Sequence, residues 1–160
     1  MGEYDCIDSC IVLGILFQES IGELQEYIRT VGYKQRNKGL LTVYLMGEIF
    51  TNLFTKICQK VEDGTIRAVL LQNALDFFED VIMELLRQDR LIIAKIQNSD
   101  YQLIRQIQEL DYAITDDDAL HLSCAVNNQC QRFVTTDTIL LSENCRSRIR
   151  REFGLIISRP

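Results

Sequence analysis

The chain has no tryptophan, one proline and one histidine in 160 residues. With a single histidine, and no CxxC pair among Cys6, Cys10, Cys58, Cys124, Cys130 and Cys145, the usual zinc-site spacings are excluded. Such cysteines read as small buried apolar side chains in a reducing compartment, so a cytoplasmic location is expected. No apolar stretch approaches the roughly 20 residues that a membrane-spanning helix needs, and no membrane partner is expected. The apolar run at 11–17 follows acids rather than a basic segment and lacks a small-residue cleavage site, which argues against a signal peptide. Internal repeats and low-complexity tracts are absent. There is no GxxxxGK[ST] phosphate loop, and Asp5 and Asp8 are spaced DxxD rather than the DxD of aspartyl-phosphate hydrolases.

An excess of basic residues is also lacking: the formal net charge is −6 at pH 7. An acidic chain is a poor general binder of phosphate backbones. That objection does not reach a nuclease whose carboxylates are neutralised by metal, because four acids held in that way leave the remainder close to neutral. What is present is an ordinary globular composition, 47% hydrophobic and 25% charged. The length suits one domain with a substantial buried core.

Short apolar runs alternate with long helical ones. Strands are expected at 3–8, 41–44, 91–96, 132–136 and 155–158, and helices at 9–17, 20–31, 45–60, 65–88, 99–110 and 116–128. Ser99 and Thr115 are the expected caps of the last two helices. Residues 32–39 read as a polar loop, and the segment after Thr138 as a helical turn followed by an arginine-rich stretch. The pattern predicts an α/β three-layer sandwich in one domain over 1–160, with a central, mostly parallel sheet of four to five strands flanked by helices. Leu71, Leu75, Phe78, Ile82 and Leu85 form a stripe that belongs to the core or, failing that, to a homodimer or partner-helix surface.

Four acids stand out by position. Asp8 and Asp137 follow expected strands, Glu48 lies in the first turn of the helix after the second strand, and Asp118 opens a helix. Each has a plain structural explanation. Asp8 can cap the helix that follows, and Asp118 can complete a capping box with Thr115. Asp137 can shape a turn, and Glu48 can be a solvated helix position. Taken together, however, all four fall where sites form in open α/β sheets, outside the carboxyl ends of the strands. Four clustered carboxylates need a compensating charge, and hard oxygen ligands suit Mg²⁺ or Mn²⁺.

At these residues the sequence resembles the PIN-domain family of metal-dependent ribonucleases, which includes toxins of toxin–antitoxin pairs. The resemblance runs along almost the whole chain. Its marks are Ile7-Asp8-Ser9 before an apolar helix, Glu48 in LMGEIF, Asp118-Ala119 at a helix start with Ala125 following, and Thr135-Thr136-Asp137 closing a strand. The stretch ITDDDALHLSCAVNNQCQRFVTTD is the specific part. The resemblance implies a PIN-like fold and an Mg²⁺- or Mn²⁺-dependent endoribonuclease acting on RNA, either a toxin with an antitoxin partner or an RNA-processing factor. It implies Asp8, Asp118 and Asp137 as metal ligands, with Glu48 completing the catalytic set and Ser9 and Thr135 as hydroxyls that hold carboxylates in place. The alternative is a catalytically inactive PIN-like module that binds RNA or protein. The helical segment at about 62–89 exceeds what the compact bacterial toxins of the family carry.

Two neighbours of the acids need weighing. His121, the sole histidine, is expected to be structural rather than a general base, since metal-bound water makes such a base unnecessary. Lys34, Arg36 and Lys38, with Arg146 and Arg148, are candidate contacts to an RNA backbone, against the plainer reading of a solvated surface.

Overall fold

A parallel strand covered on both faces reads as a continuous apolar run. The first strand, β1 (Tyr4–Ile7), does so, with Asp5, Cys6 and Ile7 all buried. The computed structural model describes residues 3–17, 21–33 and 36–160. Among these, β1 lies at the centre of a five-stranded sheet with β2 (Lys38–Thr42), β3 (Leu91–Ala94), β4 (Arg132–Val134) and β5 (Ile156–Ser158). The order is β3-β2-β1-β4-β5, and every neighbouring pair is parallel. The helices are α1 (Ser9–Leu16), α2 (Ile21–Thr30), α3 (Val43–Lys60), α4 (Gly64–Arg87), α5 (Asn98–Leu110), α6 (Asp116–Asn127) and α7 (Glu143–Phe153). Helices α1 to α4 pack on one another, and α5 to α7 form a second group. This is the expected α/β architecture, with an all-parallel sheet.

The chain builds outward from β1 to β2 and β3, then returns to the other side for β4 and β5. The order therefore reverses between β1 and β4, and the crevice at their carboxyl ends is where open α/β sheets place ligands. Asp8 follows β1 directly, and Thr135 follows β4 directly.

Packing explains the elements next to that crevice. In α3, Leu45, Ile49, Leu53 and Ile57 recur every four residues and are all buried. Thr42 caps this helix, its hydroxyl accepting from the Leu45 amide at 3.1 Å. The second strand thus lies at Lys38–Thr42 rather than 41–44, and Val43 and Tyr44 belong to the first turn of α3. The β-prone pair is exposed, whereas Leu40 and Leu41 are fully buried, so burial decides the boundary. Gly39 lets the core close over β2: a Cβ there would lie 2.7 Å from Ile7 Cδ1 and 2.8 Å from Leu91 Cδ1, so those side chains would have to shift.

Other boundaries also shift. β3 stops at Ala94 and β4 at Val134, each two residues early. Helix α5 is capped at Gln97 rather than Ser99, and Asp100 accepts from the Gln97 amide at 2.7 Å. The arginine-rich stretch is a true helix, α7, which Ser142 opens and Gly154 ends in the left-handed region at φ 72°. In the stripe on α4, Phe78, Ile82 and Leu85 are buried, while Leu71 and Leu75 are partly covered against the core. The opposite side of α4 exposes Ile66, Val69, Leu70 and Phe77.

Candidate active site

Asp8 is the N-cap residue of α1, yet its carboxylate makes no capping bond. It is 7% exposed and turned toward β4 instead. Its Oδ2 accepts from the Thr135 hydroxyl at 2.5 Å and from the Cys10 thiol at 3.2 Å, and Ser9 Oγ lies 3.4 Å from Oδ1. Thr135 Oγ1 also accepts from the Asp137 amide at 2.9 Å. One buried hydroxyl therefore ties the carboxylate after β1 to the backbone after β4. Thr135 is thus the nearer hydroxyl to the Asp8 carboxylate, and Ser9 the more distant.

Asp137 does shape a turn, with Oδ1 accepting from the amides of Ile139 at 2.7 Å and Leu140 at 3.1 Å. It stands three residues past the end of β4 rather than directly after it. Asp118 lies in the first turn of α6, where it accepts from the Thr115 hydroxyl at 2.6 Å and its amide donates back at 3.2 Å. Burial raises the Asp118 pKa, and the charges of Asp137 and Asp8 add to that effect against the Thr115 hydrogen bonds. Asp118 thus feels the charges of both other aspartates. Of the three acids that open α6, only Asp118 faces this group: Gln108 donates to Asp116 at 2.7 Å, and Tyr44 donates to Asp117 at 2.7 Å.

Glu48 lies in the second turn of α3, one turn deeper than expected, because the helix starts at Val43. Its partner is His121, with Nε2 3.0 Å from Glu48 Oε2. Burial alone would raise the pKa of Glu48; the hydrogen bond and charge of His121, with a hydrogen bond from Ser9, outweigh it and hold the carboxyl below its usual value. His121 is 2% exposed and its Nδ1 is buried without a partner. It orients Glu48, in keeping with the expected structural role. Among the described residues, no lysine or arginine pairs with Asp8, Asp118 or Asp137. Nor do three histidine, cysteine, aspartate or glutamate side chains there stand close enough to form a ready metal cage.

Two participants are invisible in the sequence. Cys10 touches Asp8, lies 3.4 Å from Thr135 Oγ1 and accepts from the Thr136 amide at 3.2 Å. Burial and the Asp8 charge push its thiol up to about 11, so it is a neutral donor rather than a nucleophile. The i to i+2 spacing from Asp8 was the only available signal. Tyr44 packs its ring against His121, with centroids 5.4 Å apart, and the hydrogen bond to Asp117 raises its hydroxyl to about 12.

The basic candidates are not gathered with the acids. Lys34 lies outside the described residues. Arg36 and Lys38 are at the amino end of β2, away from the carboxyl-end crevice, where Arg36 donates to Thr30 at 2.8 Å and Lys38 pairs with Asp89. Arg146 and Arg148 donate to the backbone carbonyls of Ile157 and Leu110 at 3.1 and 2.5 Å.

No protein-family model matches the chain, and no curated protein matches it. Among solved structures, a chain from "VapBC2 from Rickettsia felis bound to a DNA fragment from their promoter" is similar, with a TM-score of 0.61 at 14% identity. The match covers 98% of this chain and 98% of that one. At that identity the likeness is one of fold, and it agrees with a PIN-like α/β arrangement. No helix among the described residues is long and apolar enough to cross a membrane.

Proposed function

We propose that the chain is a Mg²⁺- or Mn²⁺-dependent endoribonuclease that hydrolyses RNA phosphodiester bonds at Asp8, Glu48, Asp118 and Asp137. One observation carries the reading: Asp8, Asp118 and Asp137 lie beside the switch point of the sheet, Asp118 feels the charges of the other two, and no lysine or arginine among the described residues pairs with any of them. Evolution of a fold alone has no use for that arrangement, whereas a bound cation removes the repulsion.

The donor set fits a hard divalent ion. All the acids offer oxygen, and Mg²⁺ is commonly held by one or two carboxylates with its remaining positions taken by water, so a cage of three side chains is not required. Asp8, Asp118 and Asp137 would hold it, and a bound ion would supply an acidified water and neutralise charge on the phosphate. The chain's own residues do the rest. Thr135 and Cys10 fix the Asp8 carboxylate by donating to Oδ2. Glu48, kept ionised by His121 and Ser9, is available as a proton acceptor beside that group.

A toxin with an antitoxin protein partner is the biological role we favour over RNA processing, because a chain of the VapBC2 structure shares the fold over nearly its whole length. The exposed apolar side of α4 offers surface for that partner or for a second copy of the chain. The cytoplasm is the compartment that suits this role and the six free thiols. One observation favours the second reading, an inactive module that binds RNA or protein: no three ligands among the described residues form a ready metal group. Incubating purified protein with labelled RNA and Mn²⁺ decides between them. Cleavage lost in Asp8→Asn and Asp118→Asn supports the enzyme; no cleavage by the unaltered chain, or undiminished cleavage by both variants, overturns it.

A further inference from the structure

An open groove of about 900 Å³ adjoins the acids on the α3 side. Val43, Tyr44, Gly47 and Glu48 of α3 form one wall, and Lys95 and Ile96, just past β3, form the other. Asp117 and Asn52 complete it. Two of these residues tie the groove to the proposed site: Glu48 belongs to the catalytic set, and Asp117 precedes Asp118.

The chemistry of the groove is that of a slot for a flat, partly polar ring with an anion attached. Tyr44 is 38% exposed, but it is not free to turn, since its hydroxyl is held by Asp117 and its ring by His121. A fixed, half-open aromatic face is what bases stack on, and stacking tolerates any sequence because every base has a π-face. Asn52 offers both a donor and an acceptor to a base edge. Lys95 is exposed and makes no ion pair with the described residues, so its ammonium is available to a phosphate. Asp117 and Glu48 keep their charges but are held by Tyr44 and His121 on the α3 side, whereas Lys95 stands on the wall just past β3. Gly47 lies on the groove wall, and a Cβ there would meet nothing within 4 Å, so the floor is open for an occupant.

We infer that this groove is a subsite for one unpaired nucleotide of single-stranded RNA, with its base stacked on Tyr44 and its phosphate at Lys95. The class of ligand rests on the nuclease reading, and the placement rests on the groove. A strand seated there would pass Glu48 on its way to the three aspartates, so the subsite would position a residue next to the scissile bond.

The test is an anisotropy titration of the full chain, in Mg²⁺, with a short fluorescein-labelled single-stranded RNA carrying phosphorothioate linkages. Tyr44→Ala should weaken binding about tenfold, the loss of one stacked base. Tyr44→Phe, which keeps the ring, should stay close to the unaltered chain. Gly47→Trp fills the groove from a position with room for a side chain and should weaken binding at least as much as Tyr44→Ala. Lys95→Glu, an exposed change that leaves the fold alone, should weaken binding and reduce the slope against log salt by about one. Equal affinity in Gly47→Trp and Lys95→Glu, with circular dichroism retained, overturns the subsite; it is also the result expected if a polypeptide fills the groove. The two readings separate cleanly. Metal-dependent cleavage with normal binding in the groove variants keeps the nuclease and discards the subsite. Weakened binding in those variants, with no cleavage by the unaltered chain, does the reverse.

Discussion

Asp5 lies in β1 and Asp8 three residues on, just past its end, and both are almost fully buried, at 1% and 7% exposure. Asp5 is neutralised. Arg132, opposite it on β4, donates from Nε to both carboxylate oxygens at 3.1 Å and from a terminal nitrogen as well, and Asn37 adds a bond at 2.8 Å. Asp8 has no cation among the described residues; it has hydroxyl and thiol donors, and its charge acts on Asp118. Burying a carboxylate is costly unless it is paired. The chain has the means to pair one and does so at the amino end of β4. At the carboxyl end it leaves three without an ion pair among the described residues. That asymmetry distinguishes the two aspartates more sharply than burial or sequence position does.

The comparison breaks first at the level of chemistry. In Asp8→Asn and Asp118→Asn, Mn²⁺-dependent RNA cleavage should fall about a thousandfold or more, roughly 4 kcal/mol of barrier. Urea unfolding should be nearly unchanged, because neither residue holds an ion pair. Arg132→Ala should invert that pattern. It strands Asp5 without a counter-charge and should cost about 3 kcal/mol of stability, the low end for a broken buried pair because Arg132 keeps 29% side-chain exposure. A variant at Arg132 as stable as the unaltered chain would remove the contrast between the two aspartates.

Metal should sharpen the difference next. If the unpaired aspartates await a cation, Mn²⁺ at about a hundred times its dissociation constant stabilises the folded chain by about 2.7 kcal/mol. Differential scanning fluorimetry should show the shift in the unaltered chain and in a mildly destabilised Arg132 variant. It should be lost in Asp8→Asn and Asp118→Asn. An equal shift in all four would place the ion elsewhere.

Much of this site was readable from sequence because its signals are local. Asp8 at a strand end, Thr115 to Asp118 at a helix start, and Thr135 to Asp137 after a strand are each a few residues long, and the structure brings the three together at one switch point. Glu48 was read one turn too shallow, since Val43 and Tyr44 are β-prone and only the burial of Leu40 and Leu41 reveals where the strand stops. Contacts made across the sheet left no trace in the sequence: Cys10 on Asp8, Tyr44 on Asp117, and His121 on Glu48 all depend on how helices dock. The basic segments carry no such local signal. A run of charge does not say which end of a sheet it occupies, and Lys38 proves to be at the opposite end, paired with Asp89. Helix α7 was half-read because only Cys145 and Ile149 of it are buried, too short a stripe to stand out among arginines.

The smallest effect is the most specific, and it concerns pH without metal. Asp118 has a folded pKa raised above its ordinary 3.8, chiefly by burial. A raised carboxyl favours the folded state fully below the unfolded pKa, and that contribution is lost as pH rises through the folded value. Glu48 is shifted the other way, below its ordinary 4.5, so its contribution is present above the unfolded pKa and is lost as pH falls through the folded value. In EDTA the two slopes oppose each other. Replacing Asp118 with Asn removes only the first, so the variant should gain stability relative to the unaltered chain as pH climbs from about 4 toward neutrality. Replacing Glu48 with Gln removes only the second, so its deficit against the unaltered chain should be seen near neutrality and should shrink on acidification. Both groups are about half-buried, so solvent screening keeps each effect small. Urea midpoints measured across this range decide the matter: if Asp118→Asn runs parallel to the unaltered chain, the aspartate feels no repulsion in the free protein, and the case for a cation at this edge of the sheet loses its electrostatic ground.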